Sequence, residues 1–333
     1  MTEKTHSNNT QNEKIICVVG PTAAGKSDLA LKICKKFVGE IISCDSMQIY
    51  RKMDVGTAKP SKEEMQSVKH HLVDIIDIKD SFSVSDYVDL AEKCVKDIIS
   101  RNKLPVFCGG TGLYIDSFVD GINFGEYESL PEYRKELEEY AEKNGKEALW
   151  QMLSSVDVKS AENINFANVK RVIRALEVYK ATGKPISFWN ERAKENAVKK
   201  NALYIGVSYA DREILYDKIN KRVDKMMENG LEKEARALYE SGLEKTETAG
   251  QAIGYKEFYP YFKGQASLEE CVERLKINSR HYAKRQLTWF SRNKSIIWLY
   301  RDGKDDVEKA AFDEIDAFLH GKNGKNQKSE AIR

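Results

Sequence analysis

The sequence predicts an α/β fold: a parallel sheet carrying a phosphate-binding loop (P-loop), flanked by helices and interrupted by a helical insertion domain. Three observations carry this prediction. Apolar runs at 15–19, 40–44 and 105–108 alternate with amphipathic segments at 28–37 and 85–100, the pattern of strands buried between helical layers. Gly20-Pro21-Thr22-Ala23-Ala24-Gly25-Lys26-Ser27 fills G-x-x-x-x-G-K-S between the first strand and the first helix. From about residue 121 the texture changes to charged helical segments, before an apolar run returns at 204–207.

In chain order, the first strand (Ile15–Val19) leads through the loop into an amphipathic helix over 28–37. Residues 40–44 form a second strand, and 71–78 are expected to form a third. Tyr87, Leu90, Ala91, Cys94, Val95 and Ile98 recur at helical spacing over 85–100. The strand at 105–108 ends in Gly109-Gly110-Thr111-Gly112. Helices are predicted at 130–142, 146–153 and 170–182, a strand at 204–207, and two helices from Asp211 broken at Asn229-Gly230 and ending near Gly242. A long helix over 268–291 precedes a last strand at 296–299. The domains follow: a core of 14–120 with about 200–300, a mostly helical insertion of about 121–199, and polar tails at 1–13 and 320–333 expected to be disordered.

Hydrophobic residues make up 41% of the 333 and charged residues 32%, an ordinary globular composition. The six cysteines form no C-x-x-C pair, which argues against a disulfide framework or zinc site and fits a reducing, cytoplasmic setting. No apolar run approaches the roughly 18 residues of a membrane span, so no membrane partner is expected. A net charge of +2 excludes neither nucleic acid nor a small ligand.

The loop carries the first chemistry. Its glycines let backbone N–H groups curl around a polyphosphate, Lys26 reaches the outer phosphates and the Ser27 hydroxyl is placed for Mg²⁺. Asp45 stands at the end of the second strand and opens Asp45-Ser46-Met47-Gln48; it fits a proton acceptor, a water-mediated metal ligand or a turn cap equally. Residues 54–60 resemble a second loop over the site, where Lys59 is either a phosphate contact or a solvated charge. His70 and His71, adjacent in a strand, point to opposite faces, and His71 reads first as a hydrogen-bonded core histidine. Thr111 follows two glycines that could bring its hydroxyl to a phosphate, and Arg134 opens a helix from which a guanidinium could clamp one.

Between Arg274 and Lys294 there are seven Lys and Arg and no acids. Arg274, His281, Arg285 and Arg292 share one helical stripe, Leu275, Tyr282 and Trp289 a neighbouring one, and Lys276, Arg280 and Lys284 another side. An apolar stripe between basic faces suits a helix packed on a core and offered to an RNA backbone. Lys170, Arg171 and Arg174 form a second basic cluster.

Together these segments resemble the tRNA dimethylallyltransferases, also called tRNA isopentenyltransferases, over nearly the whole chain from Lys14 to Tyr300. The similarity rests on the loop at 20–27, DSMQIYR (45–51), MDVGTAKP (53–60), HHLVD (70–74), GGTGLY (109–114), RVIRALEVY (171–179), TGKP (182–185), AIGYKE (252–257) and KRQLTWF (284–290). It implies dimethylallyl transfer from dimethylallyl diphosphate to N6 of adenosine 37, beside the anticodon of a tRNA stem-loop, by a monomeric enzyme using Mg²⁺. The loop then holds the diphosphate leaving group rather than ATP, with Lys26, Thr111 and Arg134 absorbing its charge and Asp45 taking the amine proton. Expected RNA contacts are Asp45, Ser46, Met47 and Gln48; Lys170, Arg171, Val172, Ile173 and Arg174; Gln251, Gly254, Tyr255 and Lys256; and Arg280, Lys284 and Arg285. Asn165-Phe166-Ala167-Asn168 departs from the family's usual polar segment, and no Cys/His finger follows residue 300, which implies the bacterial type. A P-loop small-molecule kinase, an adenylate prenyltransferase and a non-enzymatic RNA-binding module are the rival readings.

Overall fold

Six strands run parallel in the order β3-β2-β4-β1-β5-β6. They are β1 (Lys14–Val19), β2 (Gly39–Cys44), β3 (His70–His71), β4 (Leu104–Gly109), β5 (Asn201–Ser208) and β6 (Ile297–Tyr300). The computed structural model describes residues 13–122, 129–195 and 197–321, so nearly all of the two tails lies outside the described residues. The chain separates into two compact units, 1–119 with 200–333 and, by itself, 120–199.

Strand β1 lies at the centre because it is apolar on both faces: Ile15 to Val19 are all fully buried. Burying each such aliphatic side chain contributes roughly 1.5–3 kcal/mol. It pairs with β4 (Val19 opposite Gly109) and with β5 (Val19 opposite Gly206), so the ends of three strands come out side by side. Helix α1 (Lys26–Phe37) packs Leu29, Ala30 and Ile33 on one face of the sheet. A short α2 (Lys62–Ser67) follows, and α3 (Val84–Ser100) covers the opposite face with Tyr87, Ala91, Val95 and Ile98. A reciprocal Ser83–Asp86 capping box starts α3. Helix α4 (Gly112–Val119) continues from β4.

Residues 120–199 form their own helical unit of α5 (Pro131–Asn144), α6 (Lys146–Val156), α7 (Val158–Asn163), α8 (Val169–Thr182) and α9 (Ile186–Glu195). Its core gathers Leu137, Leu149, Leu153, Val172 and Leu176. After β5 the first unit resumes with α10 (Arg212–Glu228), α11 (Leu231–Glu240), α12 (Tyr259–Phe262) and α13 (Leu268–Phe290). These enclose a third core in which Tyr255, Phe258 and Leu275 meet Ile49 and Tyr50 from the segment after β2. Helix α14 (Val307–His320) closes the first sheet face with Val307, Ala311 and Ile315.

The expected strand over 71–78 is corrected: β3 stops at His71. Leu72 and Asp74 take φ of +60° and +57°, which bends the chain out of extended geometry. The segment instead runs beside residues 48–51, with Ile75 N donating to Ile49 O and Arg51 N to Ile76 O. Helices α2, α4, α7, α9, α12 and α14 have no counterpart in the sequence reading.

Candidate active site

At the end of β1, Gly20 adopts φ +138°, and a Cβ there would lie 2.2 Å from the Val207 carbonyl oxygen of β5. Only glycine lets the loop leave the sheet at this point. Two side chains from far along the chain then hold the loop. Arg301 donates from Nε to Ala24 O and from Nη2 to Gly25 O, both at 2.8 Å. Gln286 of α13 accepts from Thr22 N at 2.8 Å and donates to Gly110 O at 3.1 Å, tying the loop to the turn after β4. A Cβ on Gly110 would sit 1.9 Å from the Gln286 amide nitrogen, so that glycine is required by the bridge.

Lys26 Nζ folds back onto Pro21 O at 2.6 Å. Burial pulls its pKa down to about 8, with Arg222 acting the same way and the Asp45 carboxylate opposing. A cavity of about 400 Å³ opens over Lys26 and Ser27 and reaches Asp45, Lys218, Arg222 and Gly110. Beside it a cavity of about 290 Å³ is walled by Met47, Ile219, Val223, Met226, Ile253 and Leu275, with Gln251, Lys256 and Arg285 among its polar lining. Thr22, Asp45, Arg222 and Tyr282 line both.

Asp45 Oδ1 accepts from Met47 N at 2.9 Å and Gln48 N at 3.4 Å, so this oxygen caps the turn. The capping and proton-accepting readings are therefore compatible, because the same carboxylate faces both cavities. Thr111 Oγ1 accepts from Ser46 N at 3.2 Å and joins the two turns. Burial, then Asp45, pushes the Tyr282 phenol up, so it stands beside them as a neutral hydroxyl. Arg222 lies one helical turn from Lys218 on α10. Burial lowers its pKa, Asp45 opposes, and its guanidinium has no ion-pair partner among the described residues.

The loop of residues 53–60 is fastened on two sides. Glu234 Oε2 accepts from Asp54 N and Val55 N, and Oε1 from Gly56 N at 3.0 Å and the Tyr255 hydroxyl at 2.7 Å. Lys59 is neither of the alternatives posed for it: its buried amine donates to Tyr50 O at 3.0 Å and pairs with Asp54 and Asp74. His71 pairs through Nε2 with the buried Glu40, which also holds Arg101 and Lys103.

The fold thus brings residues 20–27, Asp45–Gln48, Gln251, Lys256 and Arg285 to one region. Gly254 and the fully buried Tyr255 back it rather than line it. Arg280 turns the other way, to Asn220 Oδ1 at 2.7 Å and Glu273 at 3.7 Å, while Lys276 pairs with Asp224. That side of α13 packs on α10, and Arg280, expected to contact RNA, is engaged there with protein partners. Lys284 lines a separate cavity. Arg134 and Lys170–Arg174 belong to the second unit. There Arg134 Nε and Arg174 Nη1 meet the fully buried Glu177 carboxylate at 2.7 and 2.5 Å. Val172 and Ile173, expected to contact RNA, have side chains buried in the core of this unit. Sequence reasoning missed Lys218, Arg222, Tyr282, Gln286 and Arg301 as site residues. The available signal for the first two was a pair of cations placed i, i+4 on the same turns as the apolar Leu215, Ile219 and Val223.

The family model described as IPP transferase matches residues 48–294. The chain belongs to the IPP transferase family. It is 46% identical over 300 residues to a tRNA dimethylallyltransferase of Thermoanaerobacter sp. (strain X514), covering 89% of this chain and 94% of the relative. It is 48% identical over 297 residues to that of Acetivibrio thermocellus, covering 89% and 95%. Among solved structures, the full-length tRNA isopentenylpyrophosphate transferase of Bacillus halodurans aligns with a TM-score of 0.69 at 43% identity, covering 93% of this chain and 98% of that one. A eukaryotic dimethylallyltransferase acting on tRNA aligns with a TM-score of 0.81 at 27% identity, covering 95% and 82%. As a family member the chain is a prenyltransferase. No helix among the described residues is long and apolar enough to cross a membrane.

Proposed function

We propose that this enzyme transfers a dimethylallyl group from dimethylallyl diphosphate to N6 of adenosine 37 in the anticodon stem-loop of cytoplasmic tRNA, releasing diphosphate. The observation that carries the reading is Asp45 lining two adjacent cavities. One opens over the phosphate loop with Lys26, Lys218 and Arg222 in its lining; the other combines a wall of Met47, Ile219, Val223, Met226, Ile253 and Leu275, suited to a prenyl chain, with the polar Gln251, Lys256 and Arg285.

The diphosphate lies on residues 20–27, with Lys26, Arg222 and Lys218 opposing its charge. These groups gain most as the allylic C–O bond breaks and charge collects on the leaving group. The N6 lone pair attacks the freed allylic carbon, the C–N bond forms, and the N6 proton passes to Asp45. Met47, Ile219, Val223 and Met226 keep water from the allylic cation-like centre. Extruding the base from the stacked loop costs a few kcal/mol. Thr111 holds Ser46, and Gln286 holds Thr22, so both position the reacting groups.

Mg²⁺ favours hard oxygen ligands, and Ser27 and Asp45 offer such oxygens on the phosphate-side cavity. Both could hold the ion, which when bound would neutralise phosphate charge. Arg134 is engaged with Glu177 inside the second unit, and this proposal gives the charge-opposing role to Arg222, which lines the phosphate-side cavity.

Purified protein with Mg²⁺ is expected to release diphosphate only when both dimethylallyl diphosphate and tRNA are present, and the tRNA should gain a five-carbon group by mass analysis. RNA-independent ADP formation from ATP would instead establish a kinase, and prenylation of AMP without tRNA an adenylate prenyltransferase.

A further inference from the structure

A third cavity of the first unit, about 360 Å³, lies on the other side of α13. It forms where the ends of β5 and β6 meet the start of α10. Tyr209, Tyr216, Trp298 and Tyr300 contribute rings, and Arg212 and Lys284 supply charge; no acidic side chain lines it. Trp298 and Tyr300 stack, with centroids 6.5 Å apart and planes 20° from parallel. Tyr300 is 42% exposed.

Lys276, on the same helix as Lys284, pairs with Asp224, and Lys221, on the same helix as Arg212, pairs with Asp217. Arg212 and Lys284 have neither an ion pair nor a side-chain hydrogen bond among the described residues. Arg212 also opens α10, the helix end at which a positive charge is disfavoured. Unpaired cations beside open aromatic rings suit a ligand with a flat π-face and an anionic group. That is a nucleotide: the base stacks on a ring while its phosphate meets the guanidinium or ammonium.

Neighbouring positions on α13 say where such a nucleotide comes from. Arg285 lines the apolar cavity assigned above to the extruded adenosine, and Lys284, one residue earlier, lines this one. A strand crossing α13 would serve both. We infer that this cavity is a second nucleotide subsite, holding another unstacked nucleotide of the RNA whose adenosine enters the active site. The inference rests on the reading of this enzyme as one that acts on tRNA.

The test is direct titration of the full-length protein with an anticodon stem-loop RNA, followed by binding and not by turnover, for wild type, Arg212→Ala and Tyr300→Ser. Both substitutions are expected to weaken RNA binding about fivefold or more, the scale of one lost stacking or phosphate contact. Arg212→Ala should also lower the slope of log affinity against log salt by about 0.7, whereas Tyr300→Ser should leave it. Affinity for inorganic diphosphate should be unchanged in both, which reports an intact fold and phosphate loop. Unchanged RNA binding in both variants overturns the subsite. Quenching of Trp298 fluorescence by AMP that Tyr300→Ser abolishes, with RNA binding unaffected, would overturn the RNA assignment in favour of a free mononucleotide. If wild type binds the RNA and the variants weaken it while no prenyl group is transferred, the catalytic reading fails and the subsite stands.

Discussion

Arg134 and Arg222 are chemically identical and are used in opposite ways. Arg134 spends its guanidinium inside the helical unit on Glu177, a fully buried carboxylate that also holds Arg174 and the Leu130 amide. Arg222 lies against a cavity in the other unit with no carboxylate in contact, and its nearest electrostatic neighbours are Asp45 and another cation, Lys26. A buried charge has to be compensated. Where the chain supplies the counter-charge, the arginine stabilises the fold; where it does not, the counter-charge is left to a ligand. The difference separates structural cations from binding cations more sharply than position in a sequence motif does.

The comparison can be broken at four points. The largest effect is expected for Glu177→Ala, which leaves two guanidinia facing each other without a carboxylate. It should cost the helical unit about 3 kcal/mol, read as a lowered unfolding midpoint in denaturant. Next is Arg222→Ala, which should lower turnover about 10²-fold and weaken diphosphate binding with no change in thermal midpoint. A fall in stability instead would place Arg222 with the structural arginines.

Lys26 gives a smaller, pH-dependent effect. Its pKa of about 8 in the folded protein lies below the ordinary value of 10.5, so the amine is charged below about pH 8 and neutral above it. Diphosphate affinity measured calorimetrically should therefore fall as pH rises from about 8, approaching tenfold per unit where the charge is required. Because only the unfolded chain keeps that proton between 8 and 10.5, unliganded stability should rise with pH across the same window. Lys26→Met should remove both trends. The smallest effect on ligand binding is expected from Arg134→Gln: diphosphate affinity within about twofold of wild type, with a modest loss of stability in the helical unit. A larger loss of diphosphate affinity at constant stability would return Arg134 to the phosphate site.

Much of the sheet was legible because its signals are local. Ile15 to Val19 is apolar on both faces, and Gly20 and Gly25 sit at the positions a loop between strand and helix needs. Asp45 was legible as a residue at a strand end, though not that its Oδ1 would also cap the next turn. The failures arise where distant segments decide the outcome. Residues 72–78 have strand-like composition, but pairing with 48–51 and two left-handed residues turn them aside. Lys59 reads as a loop cation because its partners Asp74 and Tyr50 are distant in the pattern and close in space. On α13 the cations look equivalent along the helix, but Lys276 pairs with Asp224 and Arg280 bonds Asn220, both of α10, whereas Lys284 has no ion pair among the described residues. Arg222 was marked only by its i, i+4 spacing with Lys218, because nothing near it in sequence marks the phosphate loop it faces.

The Gln286 bridge has a mechanical corollary. Its single amide clasps Thr22 N on one side and Gly110 O on the other, so the helix bearing Arg285 and the loop bearing Lys26 are joined through one side chain. A shift of α13 under a bulky ligand would strain these two hydrogen bonds first. The grip on one substrate and the aim of the groups holding the other are thereby coupled through a single glutamine.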